Sequence, residues 1–432
     1  MTETIAEFPG IEGGFLTGST LVRRLTRRLL LRKLRDARIG SLRMIDGDGE
    51  VTLGEPFEGA ALRAVVRIHD DRFWPKVVLG GSIGAAEAYM AGHWSADDLT
   101  AVLRFFLLNR QALDNLEDGS GRLKRPLYKV FGYLRANTRQ GSRRNIQAHY
   151  DLSNEFFELF LDRRMMYSSA IFEPDTLDLD AASELKLDRL CRKLDLRPQD
   201  HLLEIGTGWG GFAVYAAETY GCRVTTTTIS PAQHAKAVER VRAAGLEDRI
   251  TVLLQDYRDL GGRYDKLVSI EMIEAVGLKF LDGYFQRCAE LLAPGGVMAI
   301  QGITLADRNF EAYRGSVDFI QRYIFPGSSL VSVATLANSA SRTDLQIVHL
   351  EDIGPHYART LREWRLRFFE RIEDVRALGF SERFERLWDY YLCYCEAGFE
   401  ERVIGDVQVV LSKPSNRNRP ILGDLEAATP AS

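Results

Sequence analysis

The chain has 432 residues, which is too long for one ordinary hydrophobic core and predicts about two or three domains. Its composition, 45% hydrophobic and 27% charged residues, is typical of a globular protein. The formal net charge of −4 excludes nucleic-acid binding through a globally positive surface, so any basic surface must be local.

The five cysteines lack the spacing of metal ligands, and their odd number favours free thiols in a reducing compartment. They are Cys191, Cys222, Cys288, Cys393 and Cys395. The last two lie in an aromatic stretch and are predicted to be core residues rather than a metal or redox pair. No apolar run approaches the roughly 18 residues of a spanning helix, and residues 1–15 do not resemble a secretory leader. We predict no metal site and a cytoplasmic protein that contacts membranes only at its surface.

Residues 1–20 are predicted to form a flexible tail, and a basic amphipathic helix is predicted to follow. From Leu21 onward, apolar residues recur at helical spacing with arginines between them. Such a helix can lie on an anionic bilayer, where each basic side chain near the surface adds about 1 kcal/mol. Alternatively, it packs on its own domain and its arginines are solvated. The sequence leaves both interpretations open.

The next segments predict a small N-terminal α+β domain. Alternating apolar residues over 39–78, broken by Asp-Gly-Asp-Gly at 46–49, predict a hairpin. The helical pattern returns over residues 84–109. A charged, glycine-containing stretch at 115–125 is the predicted connection, so the domain is assigned residues 21–125.

From residue 200 the chain alternates between strands and helices, which predicts an α/β fold with a doubly wound, mainly parallel sheet. The predicted strands are His201–Ile205, 223–229, 250–255, 266–270 and 297–303, and the predicted helices are Gly211–Tyr220, 231–244 and 281–292. Ligands of such sheets bind at the carboxyl ends of the strands. Residues 126–414 are predicted to form the catalytic domain, and 415–432 a disordered tail.

A glycine-rich turn follows the first of these strands. Gly206, Gly208 and Gly210 stand between an apolar strand and a helix, where a tight turn lets the backbone approach a nucleotide. Glu204, just before the turn, can meet a positive charge, and no partner for a pyrophosphate follows. The turn therefore favours S-adenosylmethionine (SAM) over a dinucleotide. The alternative is a turn used only for close helix packing.

The ends of the next two strands extend the predicted cofactor site. Where a carboxylate usually binds the ribose, this chain offers the hydroxyl and amide groups of Thr228 and Gln233. Asp256 and Tyr257 follow the third strand, where an acid beside an aromatic ring suits an adenine. Each of these residues could instead belong to an ordinary strand end. Together they support a cofactor site, because they follow the strands in the order expected for the parts of a nucleotide.

A series of specific motifs runs through roughly residues 145–413, with a weaker match over 79–94. The motifs are NIQAHYDLSN at 145–154, MYSS at 166–169, QDYRD at 255–259, EMIEAVG at 271–277, YIFPG at 323–327, IGPHY at 353–357 and YYLCYC at 390–395. With these motifs the chain resembles the cyclopropane fatty acyl phospholipid synthases and their mycolic acid and methyl-branching relatives. The resemblance implies a Rossmann-like class I SAM-dependent methyltransferase sheet with a smaller N-terminal domain.

The resemblance also implies an activity and a cofactor site. It implies transfer of the SAM methyl carbon to the cis double bond of an unsaturated phospholipid acyl chain, giving a cyclopropane fatty acid after deprotonation. The alternative products are methyl-branched, methylene or furan-precursor acids. The implied contacts are Tyr167, Ser168, Gly206 and Gly208 for the methionine end, Thr228 and Gln233 for the ribose, and Asp256 and Tyr257 for the adenine.

Members of this family hold a bicarbonate ion with a Cys, a Glu, a His and a Tyr around one Ile. Glu274, Tyr357 and Ile303 match this set, whereas Ser169 and Gln301 stand at the Cys and His positions. Gln301 can donate a hydrogen bond but cannot share a proton as His could. The resemblance therefore implies these five as catalytic residues and a bicarbonate site in altered form.

The chemistry requires aromatic faces for a carbocation and a base for the departing proton. The aromatic candidates are Tyr150, Tyr167, Phe172, Phe319, Tyr323, Phe325, Tyr357 and Trp364. Glu274 is the best candidate to act as that base or to hold it, and its alternative role is a helix-capping acid. Which proton leaves decides between a ring and a branched or methylene product.

By resemblance, the N-terminal domain docks on an anionic membrane surface or assists formation of a homodimer. The protein is then expected to be peripheral on the inner face of the membrane, with no nucleic-acid partner. A lipid-binding scaffold with a decayed methyltransferase domain would have lost the glycine turn or Glu274, and neither is lost. Transfer to a small molecule or nucleic acid is opposed by the basic helix and the aromatic motifs.

Overall fold

The computed structural model describes residues 20–55, 62–110, 152–173 and 178–421. The chain divides into two compact units whose segments alternate along the sequence. Unit 1 comprises Met1–Arg163, Leu305–Ser329 and Gly354–Gly405, and unit 2 comprises Arg164–Thr304, Leu330–Ile353 and Asp406–Ser432. The predicted domain boundary at residue 125, the predicted connection and most of both predicted tails lie outside the described residues, so the domain limits stay predictions.

The described helices and strands are numbered in chain order. The helices are α1 (Thr20–Leu34), α2 (Phe73–Met90), α3 (Leu99–Leu108), α4 (Asn154–Glu158), α5 (Leu179–Lys193), α6 (Gly211–Tyr220), α7 (Pro231–Ala243), α8 (Leu281–Leu291), α9 (Asp307–Arg314), α10 (Val333–Ala340), α11 (Gly354–Glu370), α12 (Ile372–Ala377) and α13 (Glu382–Glu400). The strands are β1 (Gly40–Asp46), β2 (Gly49–Glu55), β3 (Arg63–Ile68), β4 (Trp94–Ala96), β5 (His201–Ile205), β6 (Arg223–Thr228), β7 (Ile250–Leu254), β8 (Tyr264–Ile270), β9 (Leu292–Leu305), β10 (Gln346–Asp352) and β11 (Ile404–Ser412).

Unit 1 contains a four-stranded sheet in the order β2-β1-β3-β4. The hairpin predicted around Asp-Gly-Asp-Gly is confirmed, because β1 and β2 are antiparallel and Asp46 pairs with Gly49. The helix predicted over residues 84–109 is wrong in its middle, where β4 separates α2 from α3. Gly92 follows α2 in the left-handed region (φ 74°), and Asp98 starts α3 by accepting the backbone N–H of Ala101. These two residues stop one helix and begin another.

The core of unit 1 is rich in aromatic side chains around α13. Phe384 stacks on Trp388 with ring centroids 5.7 Å apart, and Phe156 of α4 meets Trp388 edge-on at 5.0 Å. Cys393 is buried in the same helix and Cys395 is half-buried, and both thiols are free. The predicted core role is confirmed for Cys393. Among the described residues, no helix is long and apolar enough to cross a bilayer.

Unit 2 is built on a seven-stranded sheet in the order β10-β11-β9-β8-β5-β6-β7. The neighbouring pairs among β5 to β9 are parallel, and β10 is antiparallel to β11. Leu202 and Leu203 of β5 belong to different buried clusters because adjacent strand residues point to opposite faces. Both faces of the sheet are therefore covered, and the predicted doubly wound α/β fold is confirmed.

Candidate active site

The glycine turn after β5 adopts conformations that favour glycine. Gly206, Gly208 and Gly210 have φ values of 102°, 51° and 86°. A Cβ atom at Gly210 would lie 3.2 Å from Ala237 of α7, so this position is needed for close packing. A Cβ atom at Gly208 would meet no described atom within 4 Å. Close packing therefore explains Gly210 but not Gly208, which faces open space.

Glu204 lies in β5 just before the turn. Its carboxyl group accepts a hydrogen bond from Thr226 Oγ1 at 2.5 Å, and the Thr226 hydroxyl lies 2.6 Å from that of Thr207 in the turn. Burial raises the pKa of Glu204 to about 8, although Thr226 and Lys186 act in the opposite direction. Glu204 is thus enclosed and linked to the turn through two threonine hydroxyls.

Two predicted ribose ligands meet at the end of β6. Thr228 Oγ1 donates to Gln233 Oε1 at 2.9 Å, and both residues are buried. Ser230 caps α7 by accepting the backbone N–H of Gln233 at 3.3 Å, which fixes the start of the helix. The structure therefore brings Thr228 and Gln233 together, and their ribose role stays a prediction.

The predicted adenine ligands follow β7. The Asp256 carboxylate accepts hydrogen bonds from the backbone N–H of Arg258 at 3.0 Å and from its guanidinium at 2.6 Å. Tyr257 packs edge-on against Tyr284 with ring centroids 5.4 Å apart. Arg258 was not predicted as a partner of Asp256, although both belong to the motif QDYRD at 255–259.

The predicted methionine-end ligands stand on the segment before α5. Ser168 Oγ accepts a hydrogen bond from Lys186 Nζ at 2.6 Å, and Lys186 is fully buried within α5. Tyr167 is half-buried. A buried lysine on a helix is an unusual feature, and the sequence analysis overlooked it.

A cluster of carboxyl and amide groups lies at the ends of β8 and β9. Glu271 Oε1 accepts hydrogen bonds from the backbone N–H of Ser169 and from Gln301 Nε2, both at 2.8 Å. Glu274 Oε1 accepts the backbone N–H of Ile303 at 2.5 Å. We call Ser169, Glu271, Glu274, Gln301, Ile303 and Asp406 the carboxyl cluster. Four of the five predicted catalytic residues therefore belong to one cluster.

Asp406 reaches the same cluster from β11. Gln301 Nε2 donates to Asp406 Oδ2 at 3.1 Å. Burial and the nearby negative charge of Glu271 raise the pKa of Glu274 to about 8. Burial and the charges of Glu271 and Glu274 also raise the pKa of Asp406 well above its ordinary value. Glu274 therefore keeps its proton at neutral pH.

The remaining predicted catalytic residue, Tyr357, belongs to α11 of unit 1. Its ring stacks on Phe399 with centroids 4.5 Å apart and meets Trp364 edge-on at 6.1 Å. Of the other aromatic candidates, Tyr167 and Phe172 are in unit 2. Tyr150 lies outside the described residues, and so do residues 145–151 of the first motif. The role of Tyr357 stays a prediction.

Comparison with known proteins agrees with the motifs. The family of mycolic acid cyclopropane synthetases matches residues 137–409. The chain is 42% identical over 328 residues to the tuberculostearic acid methyltransferase UfaA1 of Mycobacterium tuberculosis, covering 74% of this chain and 76% of that protein. It is 36% identical over 359 residues to the cyclopropane-fatty-acyl-phospholipid synthase of Escherichia coli, covering 81% of this chain and 88% of that protein.

Solved structures support the same family. The mycolic acid cyclopropane synthase CmaA1, complexed with SAH and CTAB, is 32% identical with a TM-score of 0.59, covering 63% of this chain and 98% of that one. The cyclopropane synthase MmaA2 from Mycobacterium tuberculosis is 30% identical with the same TM-score of 0.59 and the same coverage. The predicted class I SAM-dependent methyltransferase fold is thus confirmed, and SAM is its methyl donor. By sequence and fold, the chain belongs to the mycolic acid cyclopropane synthetase family of SAM-dependent methyltransferases.

Proposed function

We propose that this protein transfers the methyl carbon of SAM to the cis double bond of an unsaturated phospholipid acyl chain and that proton loss then closes a cyclopropane ring. One observation carries the proposal. The strands β5, β8 and β9 are parallel neighbours in the sheet. The glycine turn follows β5 and Glu271 follows β8, while Gln301 of β9 pairs with Ile270 at the end of β8. Because ligands of such sheets bind at the carboxyl ends of the strands, this placement supports a methyl-donor site beside a proton-handling site.

The residues of the turn fit SAM. The open space at Gly208 lets backbone approach the methionine end, and Tyr167 and Ser168 are assigned to the same part of the cofactor. Thr228 and Gln233 are assigned to the ribose, and Asp256 and Tyr257 to the adenine. When bound, SAM supplies an electrophilic sulfonium methyl group, which even a weakly nucleophilic alkene can attack when it is aligned in a dry pocket.

The protein's own groups then handle a positive charge and a proton. Attack by the double bond leaves a cation on the acyl chain, and aromatic faces stabilise such a charge. The carboxyl cluster accepts the proton that leaves the new methyl group. A pKa of about 8 at Glu274 supports this role, because a group with a pKa near the working pH can both take up and release a proton. Loss of that proton completes the ring.

The proposal is tested by product analysis with purified full-length protein, vesicles of dioleoyl phosphatidylglycerol and SAM labelled in the methyl group with deuterium. We expect an acyl product that keeps two of the three deuterium atoms and resists mild catalytic hydrogenation. A methylene product would also keep two but would take up hydrogen, and a methyl-branched product that keeps three would indicate another proton loss. Acyl chains that stay unchanged would contradict the proposal.

We also propose that one face of α1 docks the protein on anionic membranes. Leu30 and Leu34 are buried and Arg27 pairs with Asp46 at 2.6 Å, so one face packs on unit 1 itself. On the other face, Leu21, Leu25 and Leu29 are 66%, 58% and 44% exposed. Arg24 and Arg28 between them, and Arg32 after them, are exposed. The exposed face supports the membrane interpretation, and the buried face agrees with the packing alternative.

Reversing two charges on this face should weaken membrane binding. For Arg24→Glu together with Arg28→Glu, we expect flotation with phosphatidylglycerol vesicles to fall by at least about tenfold, because each basic group near the surface contributes about 1 kcal/mol. Arg43→Glu is the matched control, since Arg43 is an exposed arginine on β1. Equal flotation of both variants, or a wild-type protein that never floats, would contradict the docking surface.

A further inference from the structure

Glu271 adopts a backbone conformation that glutamate avoids. Its φ of 46° lies in the left-handed region, which costs a residue with a side chain roughly 1–2 kcal/mol. Its backbone N–H donates to the carbonyl of Gln301 at 2.8 Å, which holds this conformation in place. Strain of this kind is often found at functional sites. Here it accompanies the side-chain hydrogen bonds that join Glu271 to Ser169 and Gln301.

The bicarbonate ion implied by the family resemblance does not fit this arrangement. Ser169 and Gln301, at two of the positions expected to hold the ion, both donate to Glu271 Oε1 at 2.8 Å. The backbone N–H of Ile303 donates to Glu274. A further anion would lack these donors and would be repelled by the carboxylate of Glu271. The side chain of Glu271 already accepts the hydrogen bonds of Ser169 and Gln301 that the ion would need.

A chain of buried hydrogen bonds fixes the direction in which Gln301 donates. Lys193 Nζ donates to Gln408 Oε1 at 2.6 Å, and Gln408 Nε2 donates to Gln301 Oε1 at 3.0 Å. An ammonium group cannot accept a hydrogen bond, so each amide can take only one orientation. Gln301 must therefore present its NH2 group to Glu271. Lys193 and Gln408 are positioning residues for that contact.

The hydrogen bonds distinguish Glu271 from the other acids of the cluster, because its Oε1 accepts two donors, and such contacts stabilise a carboxylate. Burial and the charge of Glu271 raise the pKa of its neighbour Glu274 to about 8, and burial raises the pKa of Asp406 well above its ordinary value. Lys186 is the nearby cation, since its charge acts on Asp406 in the opposite direction.

We infer that Glu271 replaces the bicarbonate ion of the family as the base that accepts the substrate proton. This inference depends on the proposed function. A C–H bond of the transferred methyl group breaks, its electron pair forms the second carbon–carbon bond of the ring, and the proton passes to Glu271. No oxidant, reductant or added anion is needed. The reaction therefore proceeds without dissolved bicarbonate.

The inference is tested by measuring turnover with dioleoyl phosphatidylglycerol vesicles in buffer freed of carbon dioxide and again after bicarbonate is added. For the wild-type protein we expect both rates to agree within about twofold. Glu271→Gly suits the left-handed conformation and removes the carboxylate. Its turnover without bicarbonate should fall at least about a hundredfold, as expected for loss of a general base, and bicarbonate should restore it.

Glu271→Gln is the matched variant, because it fills the same space without a base. Its turnover should fall equally, and bicarbonate should not restore it. Wild-type turnover that requires bicarbonate, full activity of Glu271→Gln, or a SAM-binding Glu271→Gly variant that bicarbonate does not rescue would each overturn the inference alone. A wild-type protein that binds SAM but never alters the acyl chain would instead overturn the proposed function, and the inference with it.

Discussion

Glu274→Gln should abolish most product formation while SAM still binds. The amide oxygen of Gln keeps an acceptor for the backbone N–H of Ile303, so the local geometry is retained. Gln has no carboxyl proton to take up or release, whereas a pKa of about 8 lets Glu274 do both near neutral pH. We expect turnover to fall by about 10²–10⁴-fold, the usual contribution of general acid–base catalysis. Calorimetric titration with S-adenosylhomocysteine checks cofactor binding.

The same substitution should stabilise the fold at alkaline pH. The folded-state pKa of Glu274, about 8, exceeds its ordinary value of 4.5, so between these values the unfolded chain has lost a proton that the folded protein keeps. Wild-type stability therefore falls as pH rises through this window, and Gln removes that loss. Thermal unfolding should show the variant more stable near pH 8, with the advantage disappearing near pH 4.5.

These two measurements separate catalysis from folding. A variant with near-normal turnover would refute the role of Glu274 in proton handling. A variant that is inactive and also less stable than wild type near pH 8 would show that Glu274 acts as a structural, helix-capping acid instead. Only low turnover combined with higher stability supports the proposed chemistry, since catalytic groups are often held at a cost in stability.

Local sequence signals were sufficient to predict the positions of the first strands and helices of unit 2. The predicted bounds of β5 and α6 agree with the structure, and β6 ends at Thr228, one residue before the predicted end. Glycines mark the end of β5 and the start of α6, and Pro231 marks the start of α7. Apolar strands with such markers at both ends can be located without tertiary information.

The edge beyond β9 could not be predicted in this way, and the sequence analysis contains neither β10 nor β11. In β11, Asp406 and Gln408 alternate with valines, a pattern typical of a half-exposed strand, yet both are fully buried. β10 exposes Ile347 and Val348 and carries acidic residues. β11 lies between β9 and β10 in the sheet, although it follows both in the chain. The positions of these strands therefore depend on pairing between distant segments, which local sequence signals do not reveal.

The role of Glu271 was hidden for a related reason. It stands in a recognised motif at the carboxyl end of β8, where ligand-binding residues are expected. Its partners lie 102 residues away at Ser169 and 30 residues away at Gln301. The motif shows which residue types are present, but only the fold shows which donors converge on the carboxylate. The sequence therefore pointed to four members of the carboxyl cluster but not to Glu271, which accepts hydrogen bonds from two of them.

Gly208→Ala should fold normally and lose affinity for SAM. The φ of 51° is one that alanine can adopt at a cost of roughly 1–2 kcal/mol. The added methyl group meets no described atom within 4 Å, so the protein itself accommodates it. It projects into the space assigned to the methionine end of the cofactor. We expect the dissociation constant for S-adenosylhomocysteine, measured by calorimetry, to rise by at least about tenfold, which corresponds to about 1.4 kcal/mol.

Gly245→Ala is the matched control for the backbone cost. Gly245 follows α7 with a φ of 67°, and a Cβ atom there also meets nothing within 4 Å. The two variants should therefore lose similar thermal stability, because each places alanine in the left-handed region without a clash. Only Gly208→Ala should weaken cofactor binding. Equal affinity of both variants for S-adenosylhomocysteine would mean that the glycine turn serves helix packing and that the cofactor lies elsewhere.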